Sequence, residues 1–69
     1  MENNIKKIRK KLKITQNQLA KYLKISQQAV SYIENGNTNV SYQKMLKICK
    51  YLKSSVVEVF PEMDIMTDK

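Results

Sequence analysis

The chain has no histidine, one cysteine, one glycine, one proline and one arginine, and only six acidic side chains among its 69 residues. Without histidine, Cys49 has no imidazole to draw off its proton, so a catalytic thiol is not expected. One cysteine cannot close an internal disulfide, which points to a reduced, cytoplasmic setting. A single glycine rules out a Gly-rich phosphate loop, and no His/Cys/Asp/Glu cluster has the spacing of metal ligands. Of the six carboxylates, Glu58, Glu62, Asp64 and Asp68 crowd the last stretch, so no carboxylate pair sits in a core to do acid–base work. Neither an enzyme nor a metal or other cofactor is expected. No run reaches the roughly 18 apolar residues of a membrane span, and Met1-Glu2-Asn3-Asn4 lacks the pattern of an export signal.

The shortage of acid leaves a net charge of +7, unevenly placed. Residues 1–57 carry twelve Lys or Arg against Glu2 and Glu34, a net of +10; residues 58–69 carry Lys69 against four carboxylates, a net of −3. A basic body with an acidic tail suits a polyanionic partner. By charge alone, a solvated lysine surface would look the same, and DNA, RNA and an anionic membrane are not separated. A chain this short forms one domain and buries only about 60% of its unfolded surface, so its stability is modest unless a second subunit adds to it.

Hydrophobic spacing divides the chain into five short helices and no strands, an all-α fold. The first, about Asn4 to Leu12, turns Ile5, Ile8 and Leu12 inward and four lysines outward; residues 1–4 read as frayed. A basic amphipathic helix also suits a membrane surface, but nine residues with three aliphatics bind lipid weakly. Thr15 and Gln18 form a capping box for a second helix ending near Leu23. Ser26 caps a third, Gln27 to Asn35, and Gly36 directly follows it, where a left-handed residue is wanted. Ser41 caps a fourth, Tyr42 to Leu52, with Tyr42, Met45, Leu46, Ile48, Cys49 and Leu52 as its apolar set. Ser55 opens a fifth, Val56 to about Phe60, stopped by Pro61, with Val56, Val59 and Phe60 closing the core and Val57 left outside. The domain boundary is set at 1–61, with 62–69 an acidic tail.

The stretch from Gln16 to Gly36, QNQLAKYLKISQQAVSYIENG, organises the rest. Counted from Gln16, apolar or small residues fall at positions 4, 5, 8, 10, 15 and 18: Leu19, Ala20, Leu23, Ile25, Val30 and Ile33. Two helices crossing steeply share one core only with such a set and a small residue, here Ala20, at the crossing. On a 100° wheel, Val30 and Ile33 inward puts Gln28, Ser31, Tyr32 and Asn35 outward, with Gln27 at the N-terminal tip. Glutamine can pair bidentately with adenine, and Tyr32 offers a ring edge and a hydroxyl. In an arbitrary helix these would be ordinary polar surface.

These six positions with the closing Glu34-Asn35-Gly36 resemble the helix-turn-helix of the phage repressor and Cro family. The resemblance implies a lambda-repressor-like bundle with the motif at helices 2–3, the third helix entering the major groove of DNA. It implies base reading by Gln27, Gln28, Ser31 and Tyr32. Phosphate contacts are expected from Gln16, Asn35, Asn37, Thr38 and Lys44, with Gln16 also bracing a base-reading side chain. It pairs the helix 1 arginine, Arg9, with Glu34. Arg9 is the lone arginine among thirteen basic residues, which by itself suggests a site needing a planar fork rather than mere charge. A glutamate facing DNA would repel phosphate, so Glu34 is better used inward. Lys13, Lys24 and Lys53 stand where relatives often carry glycine, each adding a positive charge.

The implied function is a sequence-specific, double-stranded-DNA-binding regulator, a dimeric repressor on a pseudo-palindromic operator, with no membrane partner and no small-molecule ligand. Val57, Phe60, Met63, Ile65 and Met66 are the expected dimer contacts. The alternative from another class is a protein-interaction module, an antitoxin or regulator subunit, with helix 5 and the tail as its partner surface.

Overall fold

The computed structural model describes residues 1–63. Among them five helices occur in the order α1 Ile5–Lys11, α2 Gln16–Leu23, α3 Gln27–Glu34, α4 Tyr42–Tyr51 and α5 Val56–Val59, and no strand. Ile65 and Met66, expected at a dimer interface, lie outside the described residues.

Four helices start on a hydroxyl that accepts from the backbone N–H three residues on: Thr15, Ser26, Ser41 and Ser55. Thr15 with Gln18 and Ser55 with Glu58 complete reciprocal capping boxes. Each satisfies N–H groups that the helix cannot.

The ends of α1 to α4 share one hydrogen-bond pattern. The amide of Ile14 donates to the carbonyl of Arg9 and that of Lys13 to Lys10; Ile25 to Ala20 and Lys24 to Lys21; Asn37 to Tyr32 and Gly36 to Ile33; Ser54 to Cys49 and Lys53 to Lys50. Each is a Schellman motif, which needs a left-handed residue just past the helix. Gly36 takes that conformation at φ +74°, but Lys13, Lys24 and Lys53 take it at +60°, +59° and +53°. Three turns thus keep the backbone that glycine would favour, each with a lysine strained into place.

The core is one cluster. Leu19, Ala20 and Leu23 of α2 meet Val30 and Ile33 of α3, Met45, Ile48 and Cys49 of α4, Ile5 of α1, and Leu52, Val59 and Phe60 beyond. Ala20, 2% exposed, is small enough to let α2 and α3 pack closely. Three apolar expectations are corrected: Leu12, Tyr42 and Leu46 are 42%, 59% and 43% exposed. Leu12 follows the last residue of α1, and Tyr42 opens α4; at both ends the apolar stripe outruns its neighbours. Phe60 is corrected as a dimer contact. It is fully buried, closing the subunit's own core, and has no surface to offer. Met63 is half-buried against the same core, while Val57 stays exposed.

Residues 1–4 are not frayed. Asn3 donates its side-chain amide to the carbonyl of Ile33 at 2.7 Å and accepts from the amide of Ile5 at 3.1 Å. The amino group of Met1 donates to the carbonyl of Gly36 at 2.9 Å, and the amide of Asn4 to the carbonyl of Val59 at 2.8 Å. This segment therefore ties the end of α3 to the end of α5. It also crowds Gly36, where a Cβ would come within 3.3 Å of the Met1 carbonyl oxygen.

Candidate nucleic-acid interface

The outward side of α3 follows from its inward one. Val30 and Ile33 are 1% and 5% exposed, which fixes the rotation of the helix and leaves Gln27, Gln28, Tyr32 and Asn35 on the surface. Ala29 and Ser31 are half-buried and small, which lets the helix backbone between the larger side chains come close to a partner. Gln28 donates to the Tyr32 hydroxyl at 3.4 Å, one helical turn away. Tyr32 is 51% exposed, so both its ring edge and its hydroxyl meet solvent.

Beneath that face lies a chain of side-chain bonds through three helices. The Arg9 guanidinium, from α1, donates through Nε to Glu34 Oε2 at 2.7 Å and through Nη2 to Oε1 at 3.4 Å. Its Nη1 donates to the carbonyl of Ile14 at 2.9 Å, so the fork also holds the turn between α1 and α2. The two side chains are 9% and 2% exposed, making this a buried pair rather than a surface one. Gln16 then donates to Glu34 Oε1 at 2.8 Å and accepts from Gln27 Nε2 at 3.3 Å. Glu34 therefore faces inward, neutralised, and Gln16 links it to the tip of α3.

The remaining positions surround this unit. Asn37 and Thr38 are exposed in the loop after α3, and Lys44, half-buried, lies in α4. Tyr32, Thr38 and Lys44 line one open cleft of about 380 Å³, floored by Ile25, Ala29 and Val40. On the other flank, Gln16 and Gln27 border an open cleft of about 580 Å³ with Lys6, Lys10, Lys13 and Thr15 along its wall. Hydrophobic spacing turns Lys6 and Lys10 outward but gives them no role. It gives no hint of Asn3 either, whose bond is to a residue thirty positions away; no local signal marks it.

Burial pushes the Cys49 thiol up from its ordinary value, away from a reactive thiolate. Among the described residues no group of acidic, cysteine or histidine side chains could hold a metal ion. No helix among them is long and apolar enough to cross a membrane.

A family model described as helix-turn-helix matches residues 5–59. Among solved structures, the chain is similar to a transcriptional regulator from Listeria innocua, with a TM-score of 0.72 at 21% identity. The match covers 84% of this chain and 58% of that one, so at this identity it speaks to the fold. No curated protein matches the chain.

Proposed function

The chain belongs to that helix-turn-helix family, of the Cro/C1 type, and on this premise we propose that it binds double-stranded DNA as a sequence-specific, dimeric transcriptional repressor. The observation that carries the reading is the outer side of α3. Gln27, Gln28 and Tyr32 are solvent-exposed, while the helix is locked from beneath by the buried Arg9–Glu34 pair. A face packed within its own subunit could not reach a groove; this one is free to. Its two glutamine amides can pair with base edges, and Tyr32 beside them offers a ring edge and a hydroxyl.

In this role Gln27, Gln28, Ser31 and Tyr32 read bases in the major groove. Gln16, Asn35, Asn37, Thr38 and Lys44 fix register on phosphates. One subunit reads too few base pairs for useful specificity, so two copies on half-sites about 34 Å apart are expected. Exposed Val57 remains available for pairing subunits; buried Phe60 does not. Each phosphate neutralised by a lysine or arginine should add about −0.9 to the log–log salt slope, while the neutral contacts add none.

Selection of binding sites from random duplexes, at fixed salt, is the direct test. Recovery of a two-fold-related sequence supports the reading. Enrichment of nothing over the input pool, with duplex affinity independent of sequence, removes it.

A further inference from the structure

Lys6 and Lys10 lie four residues apart, on one side of α1, and Lys13 in the exit turn joins them along the same cleft. That side forms the wall of the 580 Å³ cleft whose other edge is Thr15, Gln16 and Gln27. No carboxylate lines the cleft. Among the described residues the one ion pair is Arg9 with Glu34, so none of the three ammonium groups has an acidic partner at salt-bridge distance. The nearby negative charge, Glu34, is spent inside the subunit on Arg9 and Gln16.

Such an arrangement is unfavourable in the isolated chain. Like charges four apart on a helix repel. Lys13 further stands at φ +60°, a conformation open to glycine at no steric cost. Both features are relieved or put to use when a polyanion fills the cleft. Gln16 and Gln27 tie the cleft to the N-terminal tip of α3, the end that leads into a groove. A strand of phosphates lying along the three lysines is thus continuous with a duplex whose bases α3 reads.

We propose that the Lys6–Lys10–Lys13 face of α1 is a second phosphate-binding surface, seating the DNA backbone that flanks the groove entered by α3. It rests on the reading of this chain as a duplex-DNA binder and extends the binding surface onto the first helix. The face carries affinity and no base information, since an ammonium group reads phosphate charge alone.

The test compares two triple variants of equal net charge. One is Lys6→Gln/Lys10→Gln/Lys13→Gln; the other is Lys21→Gln/Lys47→Gln/Lys50→Gln. Fluorescence anisotropy follows binding of the selected duplex, a mixed-sequence DNA duplex and an RNA duplex over a range of salt. The α1 triple is expected to flatten the log–log salt slope by about 0.9 for each phosphate no longer neutralised, equally on both DNA duplexes. The preference for the selected site is expected to stay unchanged, and the control triple to keep the parent slope. Equal flattening in both triples would reduce the effect to net charge and overturn the proposal. So would a parent slope in the α1 triple, or a weakening confined to RNA.

Lys13→Gly supplies an independent readout that misfolding cannot imitate: the melting temperature should rise while duplex affinity falls. A rise in melting temperature with unchanged affinity makes Lys13 a structural residue only and removes it from the face. A parent protein that binds no DNA sequence preferentially fails the functional reading. A parent that does, alongside an unaffected α1 triple, fails this inference alone.

Discussion

Gln27 donates its side-chain amide to Gln16 at 3.3 Å, so the tip of α3 is held by the first turn of α2. Gln16 in turn donates to Glu34, and Glu34 accepts from Arg9. The polar surface offered outward is therefore fastened to a buried charge pair. That pair fixes geometry more than it adds net stability, because desolvating two ions offsets much of their attraction.

Glu34→Ala should destabilise the domain by about 3–5 kcal/mol, because it leaves a buried guanidinium without its partner. The double change Arg9→Met/Glu34→Leu should be clearly less harmful than Glu34→Ala. Urea unfolding of both variants checks the order; a double mutant as unstable as the single one would mean the pair is not the cause.

The three left-handed lysines give the opposite sign. Lys24→Gly and Lys53→Gly should each stabilise by about 1 kcal/mol, as should Lys13→Gly, by removing Cβ strain. The turns lie at the ends of different helices, so the gains should add. In a domain this size each corresponds to a melting shift of about 4–8 °C, measurable by circular dichroism. Unchanged melting in all three would mean the turns relax without strain.

Gln28→Ala should lose about 1–3 kcal/mol of discrimination at one base position and little affinity for mixed DNA. Lys44→Ala should weaken binding to every sequence alike. Competition assays with selected and mixed duplexes separate the two, and identical behaviour would undo the division between reading and positioning.

Asn3→Ala should cost about 1–2 kcal/mol, since it strips a donor from the Ile33 carbonyl and an acceptor from the Ile5 amide. Amide exchange should quicken at the C-terminal end of α3 more than at α4. Uniform quickening would instead report a global loss with no special role at α3.

Glu58 supplies a pH signature. The backbone hydrogen bond from Ser55, then the Ser55 hydroxyl, hold its carboxyl below the usual glutamate range. A carboxyl depressed in the folded state stabilises above its unfolded value, and that contribution disappears as pH falls through the folded one. Glu58→Gln keeps a capping-box partner without the titration, as Gln18 does for Thr15. Its stability curve should lose slope on the acid side and stay close to the parent near neutrality.

Local chemistry made much of the molecule legible in advance. The four hydroxyl caps, the stripe from Leu19 to Ile33 and the left-handed site at Gly36 each depend on neighbours within one or two turns. Sequence spacing encodes those relations directly. The inward Glu34 was legible too, through the lone arginine and the family resemblance.

Tertiary structure decided what periodicity cannot express: whether another element lies opposite a given face. Leu12, Tyr42 and Leu46 sit on or beside apolar stripes yet meet solvent, while Phe60 is wholly enclosed. Asn3, inconspicuous in the chain, clamps a carbonyl thirty residues away. Lys6, Lys10 and Lys13 become one cleft wall only when the first turn of α2 folds back beside α1. A helical wheel gives direction within one element; packing gives distance between elements, and burial and charge clustering depend on that distance.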